Sequence, residues 1–129
     1  MLISPSELVA VAKATITECS VADVQHCITS DTLVIDIREP QEFRKGHIPG
    51  ARHLPRGLLE FKIHELVEQV HVDQNLPNED QPIVLYCGTG GRSALAAQSM
   101  QSLGYKKVKS LAGGIVAWAT ARLPIDSPD

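Results

Sequence analysis

At 129 residues, with 43% hydrophobic and 21% charged residues, the chain is long enough to bury one core without disulfides or metals. A net charge of −3 with no basic cluster or aromatic-interleaved basic stripe argues against a nucleic-acid surface. No apolar run approaches the roughly 20 residues that span a bilayer, and Met1–Glu7 lacks the basic region and long apolar core of a signal peptide, so the expectation is a cytoplasmic protein with no membrane partner. Cys19, Cys27 and Cys87 fit neither a disulfide framework nor a C-x-x-C site, in agreement with a reducing compartment.

In chain order, Ser4-Pro5-Ser6-Glu7 combines a cap, a proline at the first helical position and a glutamate three residues after the cap, predicting a helix from Pro5 to about Ala14. Ile16–Cys19 reads as a short strand, and Ser20 and Asp23 restart a helix near Val21 to Ile28. Thr32–Ile37 is an apolar run of strand length, suited to burial on both faces of a parallel sheet. A short helix is expected at Pro40–Arg44, then turn chemistry in Gly46-His47-Ile48-Pro49-Gly50 and a brief strand at Ala51–Leu54.

Leu59, Ile63, Leu66 and Val70 follow helical spacing, which predicts an amphipathic helix over Arg56–His71, followed by a polar loop at Asp73–Gln81. Ile83–Tyr86 is a second buried strand. Ala96, Met100 and Leu103 mark a helix from about Ser93 that stops at Gly104, Val108–Leu111 a last strand, and Ile115–Ala121 a closing helix after a Gly113-Gly114 turn. Pro124–Asp129 is expected to fray. Alternating strands and helices imply a single α/β domain with a largely parallel central sheet flanked by helices. Ligands of such sheets bind beyond the carboxyl ends of the strands, where Asp36 and Cys87 both lie.

The stretch with most chemistry is Tyr86-Cys87-Gly88-Thr89-Gly90-Gly91-Arg92-Ser93, a strand end, a glycine-rich loop and a helix start. Free N–H groups and the positive end of the helix macrodipole stabilise thiolate over thiol there, moving a cysteine toward the range of about 3.5–7.5 seen for activated thiols. Gly88, Gly90 and Gly91 permit positive φ and let several N–H groups converge on one concavity.

Val34-Ile35-Asp36-Ile37-Arg38-Glu39, Glu42-Phe43, Gly46-His47-Ile48-Pro49-Gly50-Ala51, the Cys87 loop and Leu111-Ala112-Gly113-Gly114 before Trp118 occur in the order and spacing of the rhodanese family. The resemblance to its single-domain form runs from about Ile16 to Pro124. Met1–Thr15 stands outside it as an added helix, so the expected organisation is a helical extension at 1–15, a domain at 16–124 and a tail at 125–129. The resemblance implies a ping-pong sulfurtransferase. By that carry-over Cys87 takes the outer sulfur of thiosulfate or a persulfide, sulfite or a thiol leaves, and the sulfur passes to cyanide or a thiol.

The N–H groups of Gly88, Thr89, Gly90, Gly91, Arg92 and Ser93 would then hold the persulfide and its anionic donor, Arg92 adding positive charge and Ser93 capping the helix. The implied partners are a small-molecule donor and acceptor or a sulfur-relay protein, with a homodimer open. Many single-domain members carry arginine directly after the cysteine, and Gly88 stands there here, which predicts weaker thiosulfate binding.

Loop length separates this reading from cysteine-based phosphatases and arsenate reductases, which need C-x5-R to enclose a whole phosphoryl group. Here Arg92 gives C-x4-R, shorter by one residue or at most about 3.6 Å of contour. A non-catalytic sensor or protein-interaction module of the same fold is the remaining alternative, since fold alone does not set function. Asp36, Arg38 and His47 read as structural support for loops. His26, His53, His64 and His71 have no metal-ligand spacing, and no metal or cofactor is expected. Cys19 and Cys27 read as small buried apolar residues.

Overall fold

The computed structural model describes residues 1–70 and 75–127. Five parallel strands, β1 (Thr17–Cys19), β2 (Leu33–Asp36), β3 (Arg52–His53), β4 (Ile83–Tyr86) and β5 (Val108–Leu111), form one sheet in the order β1-β5-β4-β2-β3. The helices are α1 (Pro5–Lys13), α2 (Val24–Cys27), α3 (Pro40–Lys45), α4 (Leu59–Val70), α5 (Gly91–Leu103) and α6 (Gly114–Thr120).

The two apolar runs β2 and β4 are buried along their whole length, as strands covered on both faces must be. Their period of two divides the core into two layers. Leu33, Ile35, Ile83 and Leu85 face Leu59, Ile63 and Val67 of α4 and Ala96, Ala97 and Met100 of α5. Val34, Val84 and Tyr86 face the opposite layer, with Trp118 of α6 and partly buried Val24 and Cys27 of α2. Burying a Leu or Ile side chain contributes about 1.5–3 kcal/mol, so these layers dominate the folding free energy. The buried alanines of α5 present little bulk, which lets that helix run close to the sheet and start just beyond β4.

The N-terminal cap forms as expected, with the Glu7 N–H donating to Ser4 Oγ at 3.1 Å and Pro5 opening α1. The helix lies along α5. Ala12 is buried, and Gln101 Nε2 donates to the Thr15 carbonyl at 3.2 Å.

Several boundaries move for local reasons. The stretch at Val21–Ile28 divides into a 3-10 turn at Val21–Asp23, capped by Ser20 Oγ, and α2, after which Ile28 is extended. Arg56–Leu58 is also a 3-10 turn before α4, and the expected strand at Ala51–Leu54 shortens to Arg52–His53. The polar loop contains a 3-10 turn at Asn78–Asp80. His71 and the start of that loop at Asp73 lie outside the described residues. The tail does not fray at once after Pro124. His47 and Asp126 exchange backbone hydrogen bonds of 2.9 and 2.8 Å, and Trp118 Nε1 donates to the Pro124 carbonyl at 2.7 Å.

Candidate active site

Parallel register sets Asp36 of β2 beside Tyr86 of β4, so the carboxyl ends of these central strands share one edge and Cys87 leaves the sheet there. The chain turns through Gly88-Thr89-Gly90 and enters α5 at Gly91. Only Gly90 of the three loop glycines has positive φ, at 104°, and a Cβ on it would approach the Gly113 nitrogen to 3.3 Å. That corrects the expectation that Gly88 and Gly91 share this conformation. Gly90 is also the N-cap, which corrects the capping role expected for Ser93.

Ser93 instead turns inward. The backbone N–H groups of Gly90 and Ser93 donate to Cys87 Sγ at 3.2 and 3.4 Å, and Ser93 Oγ stands 3.5 Å from the sulfur. Ser110 Oγ of β5 holds that hydroxyl at 2.7 Å. Burial at 1% exposure pushes the thiol pKa up. The Ser93 hydroxyl, the Ser93 and Gly90 N–H groups and the Arg92 charge together outweigh it and leave Cys87 below the ordinary thiol value. The site therefore stabilises a thiolate without a neighbouring general base.

The start of α6 clamps the outer side of the loop. Ile115 N–H donates to the Cys87 carbonyl at 3.0 Å and Val116 N–H to the Gly88 carbonyl at 3.1 Å. This approach requires glycine at 114, where φ is 57° and a Cβ would sit 2.5 Å from both carbonyl oxygens.

Arg92 does not stand as an unpaired cation. Its Nη1 and Nη2 donate to Glu42 Oε1 and Oε2 at 2.9 and 3.1 Å. Glu42 Oε1 also accepts from the Glu39 N–H at 3.0 Å in a capping box that opens α3. Arg92 above all, helped by that N–H, holds the Glu42 carboxyl at about 2. Sequence reasoning assigned Glu42 no role in the site. Its capping-box position was readable, but no local pattern joins it to an arginine 50 residues later.

Asp36, Arg38 and His47 lie near this edge without a hydrogen bond to Cys87 in the network described. Arg38 grips the Asp36 carboxylate through Nε and Nη2 at 2.7–3.1 Å, and its Nη2 also donates to the Gly46 carbonyl at 2.6 Å. Tyr86 Oη accepts the Ile48 N–H at 3.0 Å, and His47 stacks on Phe43 at 3.9 Å between centroids. Together these contacts fasten the Gly46–Gly50 turn to the sheet. Among the described residues no group of three His, Cys, Asp or Glu side chains is arranged to hold a metal ion, and no helix is long and apolar enough to cross a membrane.

The rhodanese-like domain model matches residues 20–121. The chain belongs to the rhodanese-like domain family. A sulfurtransferase of Allochromatium vinosum is 38% identical over 101 residues, covering 78% of this chain and 84% of that protein. A Bacillus subtilis protein named "Putative sulfur carrier protein" is 36% identical over 85 residues, which is 66% of this rhodanese-like chain but only 40% of the longer relative. A solved structure from Rhodopseudomonas palustris, described as a protein of unknown function and "Possible Tyrosine Phosphatase", superposes with a TM-score of 0.78 at 34% identity, covering 98% of this chain and 96% of that one. Family and relatives support sulfur transfer of the rhodanese type as the general chemistry.

Proposed function

We propose that this rhodanese-like protein is a sulfurtransferase that carries sulfane sulfur as a persulfide on Cys87. The observation that carries the reading is the convergence of the Gly90 and Ser93 N–H groups and the Ser93 hydroxyl on a buried sulfur at the end of β4. In the first half-reaction the Cys87 thiolate attacks the outer sulfur of the donor. The new S–S bond forms as the donor's own S–S bond breaks, and sulfite or a thiolate leaves with the electron pair. In the second, cyanide or a thiolate takes the outer sulfur and Cys87 departs as thiolate. Loop donors that point at the sulfur stabilise negative charge before and after each transfer. The supply could come from thiosulfate, a persulfide or a sulfur-relay protein, the last suggested by the name of the Bacillus subtilis relative.

Phosphatase activity is the second reading, raised by the description of the Rhodopseudomonas palustris structure. Arg92 lies five residues after Cys87, which leaves a loop one residue shorter than a phosphoryl cradle, and its guanidinium is paired with Glu42. Both features argue for sulfur over phosphate. Incubation with thiosulfate or an organic persulfide should add one sulfur, about 32 Da, to the intact protein, and Cys87→Ser should abolish the gain. Uptake on Cys19 or Cys27, or hydrolysis of a phosphate ester with no sulfur uptake, would overturn the proposal.

A further inference from the structure

Beside the Cys87 loop runs an open trough of about 680 Å³, whose walls include Val21, Thr89, Val116, Ala117 and Leu123. Four of these five side chains are wholly apolar. The fifth, Thr89, belongs to the loop itself, two residues from the nucleophile. Val116 links trough and loop, because its N–H is bonded to the Gly88 carbonyl while the residue is 55% exposed. The space is within the range of small-molecule sites, and Thr89 brings the loop to its wall. The Arg92 guanidinium that follows the loop is paired two-pronged with Glu42. An incoming anion therefore meets a cation whose charge is already paired with a carboxylate.

We propose that the trough binds the organic group of the sulfur donor or acceptor, selecting thiols and hydropersulfides with an apolar substituent over the thiosulfate and sulfite dianions. The inference rests on the sulfurtransferase reading and deepens it. Two independent features point the same way: an apolar wall adjoins the loop, and the loop's cation is already paired. In the donor direction, Cys87 thiolate attacks the terminal sulfur of R–S–SH, the donor's own S–S bond breaks, and RS⁻ leaves along the trough and takes a proton from solvent. In the acceptor direction the same atoms move in reverse, so no external oxidant or reductant is consumed.

The test starts from Cys87 persulfide, loaded with excess thiosulfate or inorganic polysulfide, and follows its discharge by intact mass. Benzyl mercaptan, 2-mercaptoethanol and sulfite are compared as acceptors. The two thiols are both uncharged and differ mainly in apolar bulk. Benzyl mercaptan should discharge the persulfide at least about tenfold faster than 2-mercaptoethanol, the scale of discrimination an apolar pocket provides. Val116→Glu should bring that ratio close to one, and Val116→Thr, which keeps the shape, should lower it part-way. Glu42→Gln, which releases Arg92, should speed sulfite discharge about fivefold relative to the thiols. Equal rates for the two thiols, or an unchanged ratio in Val116→Glu that melts like the parent protein, would overturn the trough proposal while leaving sulfur transfer intact. Failure of Cys87 to load from thiosulfate, from inorganic polysulfide and from benzyl hydropersulfide alike would overturn both.

Discussion

Cys87 and Cys19 occupy matching places in the fold and have opposite chemistry. Each stands at the carboxyl end of a parallel strand and each is 1% exposed. Burial is the largest single influence on both thiols and raises both. At Cys19 nothing reverses it. The neighbouring Cys27 sulfur adds to the rise, the Cys19 thiol faces the Ser20 carbonyl at 3.6 Å, and its pKa is pushed up to about 12. At Cys87 the loop supplies hydrogen-bond donors where Cys19 meets an acceptor, and the balance changes sign. The direction of each thiol's pKa follows the number and direction of donors around the sulfur, and not its exposure.

The comparison breaks most severely if the loop is pushed off its bracing helix. Gly114→Ala forces a Cβ against the Cys87 and Gly88 carbonyl oxygens. Sulfur uptake should fall by about a hundredfold or more, since misplacing reacting groups by about 1 Å costs on that scale. Steady-state transfer kinetics on protein with a normal melting curve would measure it, and near-normal rates would show that α6 does not position the loop.

A smaller effect is expected from Ser110→Ala, which releases the hydroxyl that holds Ser93 Oγ. The Cys87 pKa should rise and transfer should slow by about threefold to tenfold at neutral pH, the worth of one buried hydrogen bond. Raising the pH should restore much of the rate. A loss that does not recover at high pH would place Ser110 in packing alone.

The smallest effect lies with Cys19. A thiol whose pKa is raised by folding keeps its proton when the unfolded chain has released it. Native protein then binds more protons than unfolded protein, and stability falls as pH rises from the unfolded value toward about 12. Cys19→Ala should cost about 1 kcal/mol at pH 7 through its small cavity, flatten this alkaline decline and leave sulfur transfer unchanged. Chemical denaturation between pH 7 and 10 would reveal it, and an equal slope in both proteins would contradict the assignment. Cys87 carries the opposite sign: its lowered value favours folding above the ordinary thiol pKa and loses that contribution as pH falls through the native value.

The central strands and the reactive loop were legible because their signals are local. Two apolar runs and a cysteine followed by glycines each lie within a few consecutive residues. What escaped was built by contacts across the chain. Glu42 reaches Arg92 over 50 residues, and Ser110, an ordinary strand serine by pattern, touches Ser93 across 17. The start of α5 at Gly91 was missed for the same reason, since the hydroxyl that reads as a cap is drawn inward by the sulfur and Ser110. The tail reads as frayed because the indole N–H that captures the Pro124 carbonyl leaves no period in the sequence.

The most direct test of a lowered Cys87 pKa and a raised Cys19 pKa is site-resolved alkylation with iodoacetamide as a function of pH. The account predicts that Cys87 titrates below an unperturbed thiol and, at pH 7, reacts at least about thirtyfold faster than Cys19. Cys87 titrating at or above the unperturbed value, or both cysteines reacting alike, would contradict it.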